Sequence, residues 1–113
     1  MKKIIFIMLV SIFANANAQE KKNKNAKYDI EVNGNCDQCK KRIEKAAFSV
    51  AGVKSAVWDM DSHVLHLIVN EEKTSVDQVQ KALAKAGHDS DGVKATDEDY
   101  ESLHQCCKYD RKP

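Results

Sequence analysis

From Tyr28 to Val32 apolar and polar residues alternate, with Tyr28, Ile30 and Val32 on one side and Asp29 and Glu31 on the other. A period of two marks a half-buried strand. Asn33-Gly34-Asn35 follows as a turn cluster, which places Cys36 in a loop. From Asp37 the period lengthens: Ile43, Ala46, Ala47 and Val50 recur at helical spacing and mark one face of a helix closed by Gly52. Val53 to Met60 reads as a second strand with Ala56, Trp58 and Met60 on one side, and Asp59-Met60-Asp61-Ser62 supplies hairpin residues before a third strand, His63 to Val69. Thr74 or Ser75 caps a second helix whose face is Val76, Val79, Leu83 and Ala86. Gly87 stands where a helix C-terminus takes a left-handed residue. A short fourth strand is expected within His88 to Lys94, and Asp97 to Leu103 fits one or two helical turns carrying Cys106 and Cys107.

The order β-α-β-β-α-β predicts a ferredoxin-like α+β sandwich, with two helices on one face of a four-stranded antiparallel sheet. If Leu65, Leu67 and Val69 face the helices, then Val57, Val64 and Ile68 point to the open face. Such an apolar patch calls for a cover, expected from Tyr100 and Leu103 of the tail or from a partner protein. His63 and His66 have opposite parity and read as surface residues.

The first residues carry a different pattern. Lys2 and Lys3, an apolar stretch from Ile4 to Phe13 and the small-residue site Ala16-Asn17-Ala18 have the three-part form of a secretory signal peptide. The apolar stretch is short for a spanning helix, which needs roughly 20 residues, so an uncleaved anchor is the weaker reading. The expected organisation is a signal peptide over 1–18, a flexible leader over 19–27, one domain over 28–95 and a cysteine-containing tail over 96–113, in a periplasmic protein with no membrane attachment after cleavage. Removing the signal takes two of 18 basic residues and none of 17 acidic ones, leaving a net charge of −1. A nearly neutral domain has no electrostatic footprint for nucleic acid.

All four cysteines, Cys36, Cys39, Cys106 and Cys107, lie beyond the signal. An oxidising compartment makes disulfides the first consideration, yet two close pairs make poor staples, because they close loops too short to restrain an unfolded chain much. Two thiols three residues apart, entering a helix, converge on one ion. Cys39 falls in the first helical turn, and Lys40, Lys41 and Arg42 follow it, so both thiol pKa values are expected to be lowered. Thiolates select soft ions, and two alone suit Cu(I) better than Zn(II), which wants four ligands. Cys106 and Cys107 are candidates for further thiolate ligands, which would readmit Zn(II), or for a disulfide from the tail to the first pair or to another molecule. His104 and, less so, His88 are candidate ligands or supports for the site; the plainer reading of His88 is a partly exposed residue near a helix end. No paired carboxylate, nucleophile–base motif or phosphate loop points to an enzyme. Two other readings stay open: a thiol–disulfide redox protein, although no Trp precedes Cys36 and no Pro separates the pair, and a disulfide-bonded partner-binding module.

The segment Gly34-Asn35-Cys36-Asp37-Gln38-Cys39, followed by Ile43-Glu44-Lys45-Ala46, Gly52-Val53-Lys54-Ser55 and Ala86-Gly87-His88, resembles the heavy-metal-associated domain family of copper chaperones and of the periplasmic mercury-binding protein, from about Tyr28 to Lys94. The resemblance implies that Cys36 and Cys39 ligate the metal, Cu(I) first with Hg(II) or Zn(II) as alternatives, and that the task is trafficking, buffering or detoxification with a metal-accepting protein as partner. The chain departs from the family loop, Gly-Met-Thr-Cys-x-x-Cys, in having no methionine before Cys36.

Overall fold

A computed structural model of the protein describes residues 22–111; the expected signal peptide and the start of the leader lie outside the described residues. Strands β1 (Ala26–Glu31), β2 (Val53–Trp58) and β3 (Val64–Val69) form an antiparallel sheet in the order β1-β3-β2. Helices α1 (Asp37–Phe48) and α2 (Val76–Lys85) cover one face, and a short helix α3 (Asp97–Glu101) and a 3₁₀ turn (Gln105–Cys107) complete the chain. The register pairs Ile30 with Leu65 and Trp58 with Leu65, so inward residues of the three strands form rows under the helices.

Alternation decides which side is buried. Leu65, Leu67, Val69, Ala56, Trp58 and Ile30 face the helices and are buried. From α1 the inward stripe is Cys39, Ile43 and Ala47, and from α2 it is Val79 and Leu83. Cys39 thus belongs to the core stripe as well as to the cysteine motif. Leu83 is fully buried, and truncating such a residue to alanine costs about 2–5 kcal/mol. Ser75 caps α2 by accepting from the Gln78 N–H at 3.3 Å, and Gly87 takes φ 101° after its end.

Four expectations change. β1 starts at Ala26, which is buried, so the end of the expected leader is sheet; Asn23 is also tied down, its N–H donating to Glu71 Oε1 at 2.8 Å. β2 ends at Trp58, leaving Met60 exposed in the turn. The fourth strand shrinks to isolated bridges, Val32 with Ser90 and Ser90 with Val93. The reason is local: Gly92 at φ 78° folds the chain back so that Ser90 and Val93 exchange backbone hydrogen bonds, leaving no run for a ladder beside β1. The fold class stands, with three strands in place of four. The tail does not cover the open face either. Leu103 packs on the Gly87 turn and Tyr100 meets Tyr109 edge-on at 5.1 Å, while Val57 stays half exposed. The tail is held instead at the end of the sheet that carries the cysteine loop.

Candidate metal site

The loop between β1 and α1 is shaped by close packing. Gly34 has room for no side chain: a Cβ there would lie 3.0 Å from Cys39 Cβ, 3.1 Å from Trp58 Cη2 and 3.2 Å from Ile43 Cδ1. Trp58 is therefore the large residue beneath this loop, its indole N–H donating to the Val32 carbonyl at 3.0 Å. From the other side the His88 ring, fully buried, hydrogen-bonds through Nδ1 to the Asn33 carbonyl at 2.8 Å. Cys36 then occupies the N-cap of α1 in extended conformation.

The tail returns to this loop. Tyr109 is the anchor: its hydroxyl donates to the Gly87 carbonyl and accepts from the Asp89 N–H, both at 2.8 Å. Arg111 grips Asp89 through Nε and Nη2 at 3.0 and 2.9 Å, and its guanidinium lies over the Tyr100 ring. With the end of the chain fixed there, the 3₁₀ turn sets Cys106 and Cys107 against Cys36.

Four free thiols meet as a result. Cys36 Sγ lies 3.9 Å from Cys39 Sγ and 3.9 Å from Cys107 Sγ. The sulfurs of Cys36, Cys106 and Cys107 all lie within 4.8 Å of one another. Arg42 Nη1 donates to Cys107 Sγ at 3.1 Å, and the exposed Cys106 thiol donates to Gln38 Oε1 at 3.4 Å. Ligands at ~2.3 Å from one ion in trigonal array stand roughly 4 Å apart, close to the two 3.9 Å separations from Cys36.

The two cysteines of the first pair differ electrostatically. The Cys36 sulfur makes no formal capping hydrogen bond, yet the backbone N–H of Cys39, and then that of Gln38, outweigh its partial burial and hold its thiol down to about 7. Cys39 goes the other way: burial pushes its thiol up to about 12. The expected lowering of both thiols thus holds for Cys36 alone. Cys39 is turned into the core beneath the helix, and Lys40 is committed to Glu44 Oε2 at 2.7 Å and the Trp58 carbonyl at 2.9 Å. Cys106 is raised, first by local desolvation and then by the neighbouring Cys107 and Cys36 sulfurs.

All four sequence-predicted cysteines come together, while the histidines do not join them. His104 is exposed and lines a shallow groove with Gln38, Lys41, Arg42 and Lys45. His88 is buried rather than partly exposed, and it acts as a brace between the Asn33 carbonyl and the Tyr109 ring, stacked at 5.7 Å. His63 stacks on Trp58, and His66 pairs with Asp29 on the open face. Arg42 was expected as positive charge near the first pair, but its bond to Cys107 and the roles of Trp58, Tyr109 and Arg111 escaped the sequence reading, since each acts through a partner far along the chain.

Residues 30–89 match the heavy-metal-associated domain family. The chain belongs to that family. A relative, the copper chaperone CopZ of Staphylococcus haemolyticus (strain JCSC1435), is 34% identical over 61 residues, which are 53% of this chain and 90% of that protein. Among solved structures, a CopZ metallochaperone superposes with TM-score 0.56 at 25% identity, covering 58% of this chain and all of the other. Oxidized MerP from Ralstonia metallidurans CH34 gives 0.52 at 26% identity, covering 58% of this chain and 96% of that one. Each of these matches covers a little more than half of this chain.

Proposed function

We propose that this protein is an exported, soft-metal-trafficking or buffering protein that takes Cu(I) as cargo on Cys36 and Cys39, with Cys107 and Cys106 of the tail as added ligands. The observation that carries this reading is the pair of 3.9 Å separations from Cys36 Sγ to the Cys39 and Cys107 sulfurs. Soft thiolate donors at that spacing suit Cu(I), and Hg(II) and Zn(II) are the competitors they admit. The likeness to copper chaperones supports the same cargo.

Ligand exchange is the means of delivery. Cys36 is the half-buried thiol with the lowered pKa, so it meets an incoming ion or a partner's thiolate first, while buried Cys39 completes the pair from the core side. The partner is a metal-accepting protein that presents thiolates of its own. The periplasm is the compartment implied by the signal-like residues 1–18.

Anaerobic Cu(I) titration against a chromophoric chelator tests the reading. Tight binding that collapses in Cys36→Ser and weakens in Cys39→Ser is expected. A reduced protein that binds no Cu(I), Hg(II) or Zn(II), or one with disulfide-oxidase activity and the potential of a strong oxidant, would sink it. A native N-terminus at Gln19 in periplasmic extract checks the export arm.

A further inference from the structure

We propose that one molecule holds two Cu(I) ions, with the Cys36 thiolate bridging them. The inference rests on the cargo reading above and assigns a second ion to the same cluster.

Cys36 is common to two separate groupings. On one side its sulfur is 3.9 Å from Cys39, and on the other it closes a trio with Cys106 and Cys107. Cys39 is outside that trio among the described residues. An ion seated in the trio is satisfied by three thiolates and leaves Cys39, buried below, as a fourth. A thiolate sulfur has lone pairs to spare, so Cys36 can serve the trio and still complete a two-thiolate position with Cys39. Two- and three-thiolate positions both suit Cu(I), whereas Zn(II) would need all four sulfurs around one point.

Charge points the same way. Four thiolates and one Cu(I) sum to a charge of −3, which Arg42 beside Cys107 offsets only in part, with two of the sulfurs fully buried. A second Cu(I) brings the cluster nearer neutrality. The step moves no electrons: four thiol protons leave to solvent as two Cu(I) ions bind, and five Cu–S bonds from four sulfurs, two of them from Cys36, replace four S–H bonds.

The test uses the reduced chain beginning at Gln19, loaded anaerobically with Cu(I) as its acetonitrile complex. Native mass spectrometry counts the ions, and copper X-ray absorption looks for a short Cu–Cu vector. Two ions per monomer with that vector are expected. The count should fall to one, and the vector vanish, in the double variant Cys106→Ser/Cys107→Ser, and separately in Cys39→Ser. Saturation of the unaltered chain at one ion per monomer overturns the proposal and leaves the cargo reading standing. So does a second ion that persists without the tail cysteines, or one found only in dimers. Failure to bind any Cu(I) removes both.

Discussion

Arg42 Nη1 lies 3.1 Å from Cys107 Sγ, joining α1 to the end of the chain across 65 positions. When Cys107 ligates Cu(I) as a thiolate, a charge-assisted hydrogen bond to it is worth about 1.5–3 kcal/mol, and losing Arg42 leaves that buried ligand without its cation. Arg42→Ala should weaken Cu(I) binding about tenfold or more by chelator competition. The same change should have little effect once Cys106 and Cys107 are serine, because the sulfur it serves is then gone.

Gly87 controls whether the tail stays seated. A Cβ there would lie 2.9 Å from the Asp99 carbonyl oxygen and 2.9 Å from Leu103 Cδ2, and φ is 101°. Gly87→Ala should therefore cost about 1–3 kcal/mol from backbone conformation alone. It should also loosen residues 97–109, read as faster amide hydrogen exchange there than in β3. Unchanged protection of the tail would contradict this.

The four thiols should react in a definite order. Cys36 is half-buried and held down to about 7, so brief alkylation near neutral pH should mark it first, with rate rising through about pH 7. Cys39, pushed up to about 12 by burial, should stay unlabelled until the chain unfolds. Peptide mapping after timed quenching distinguishes these outcomes. Equal labelling of both would show that the core-facing position of Cys39 is wrong.

His88 gives the fold a pH limit. Its Nδ1 faces the Asn33 carbonyl and so carries the proton, while Nε2 is buried without a hydrogen-bond partner. Burial, and to a lesser degree Arg42, outweigh that hydrogen bond and lower its pKa from the ordinary value. A base with a lowered folded pKa is protonated more readily in the unfolded chain. Its contribution is thus complete above about pH 6.5 and declines as pH falls below that value. The urea midpoint should drop between about pH 7 and about pH 5. In His88→Leu it should start lower, because the Asn33 carbonyl loses its donor, but fall less over the same range.

Much of this was legible along the chain because its cause is local. Period-two alternation in Tyr28–Val32 and Leu65–Val69 names the buried side of a strand before any partner is known, and the Ser75 cap and Gly87 stop are read from residue type. The fourth strand was not legible: His88 to Lys94 contains strand-compatible residues, but the backbone turn at Gly92 closes Ser90 on Val93 before a ladder can grow. The cover expected for Val57, Val64 and Ile68 was a matter of tail direction, and Tyr109 and Arg111 decide it by binding Gly87 and Asp89. The opposite pKa shifts of Cys36 and Cys39 were likewise hidden, since both positions look equally favoured by a helix start. Core depth separates them.

The sequence by itself determined the α+β order and the Cys36–Cys39 pair, because periodicity and residue spacing act within one element at a time. Only the tertiary structure decided that Cys107 sits 3.9 Å from Cys36 and 3.1 Å from Arg42. Contacts across 65 to 71 positions depend on where the chain is pinned, and here the pin is a buried tyrosine hydroxyl shared between Gly87 and Asp89.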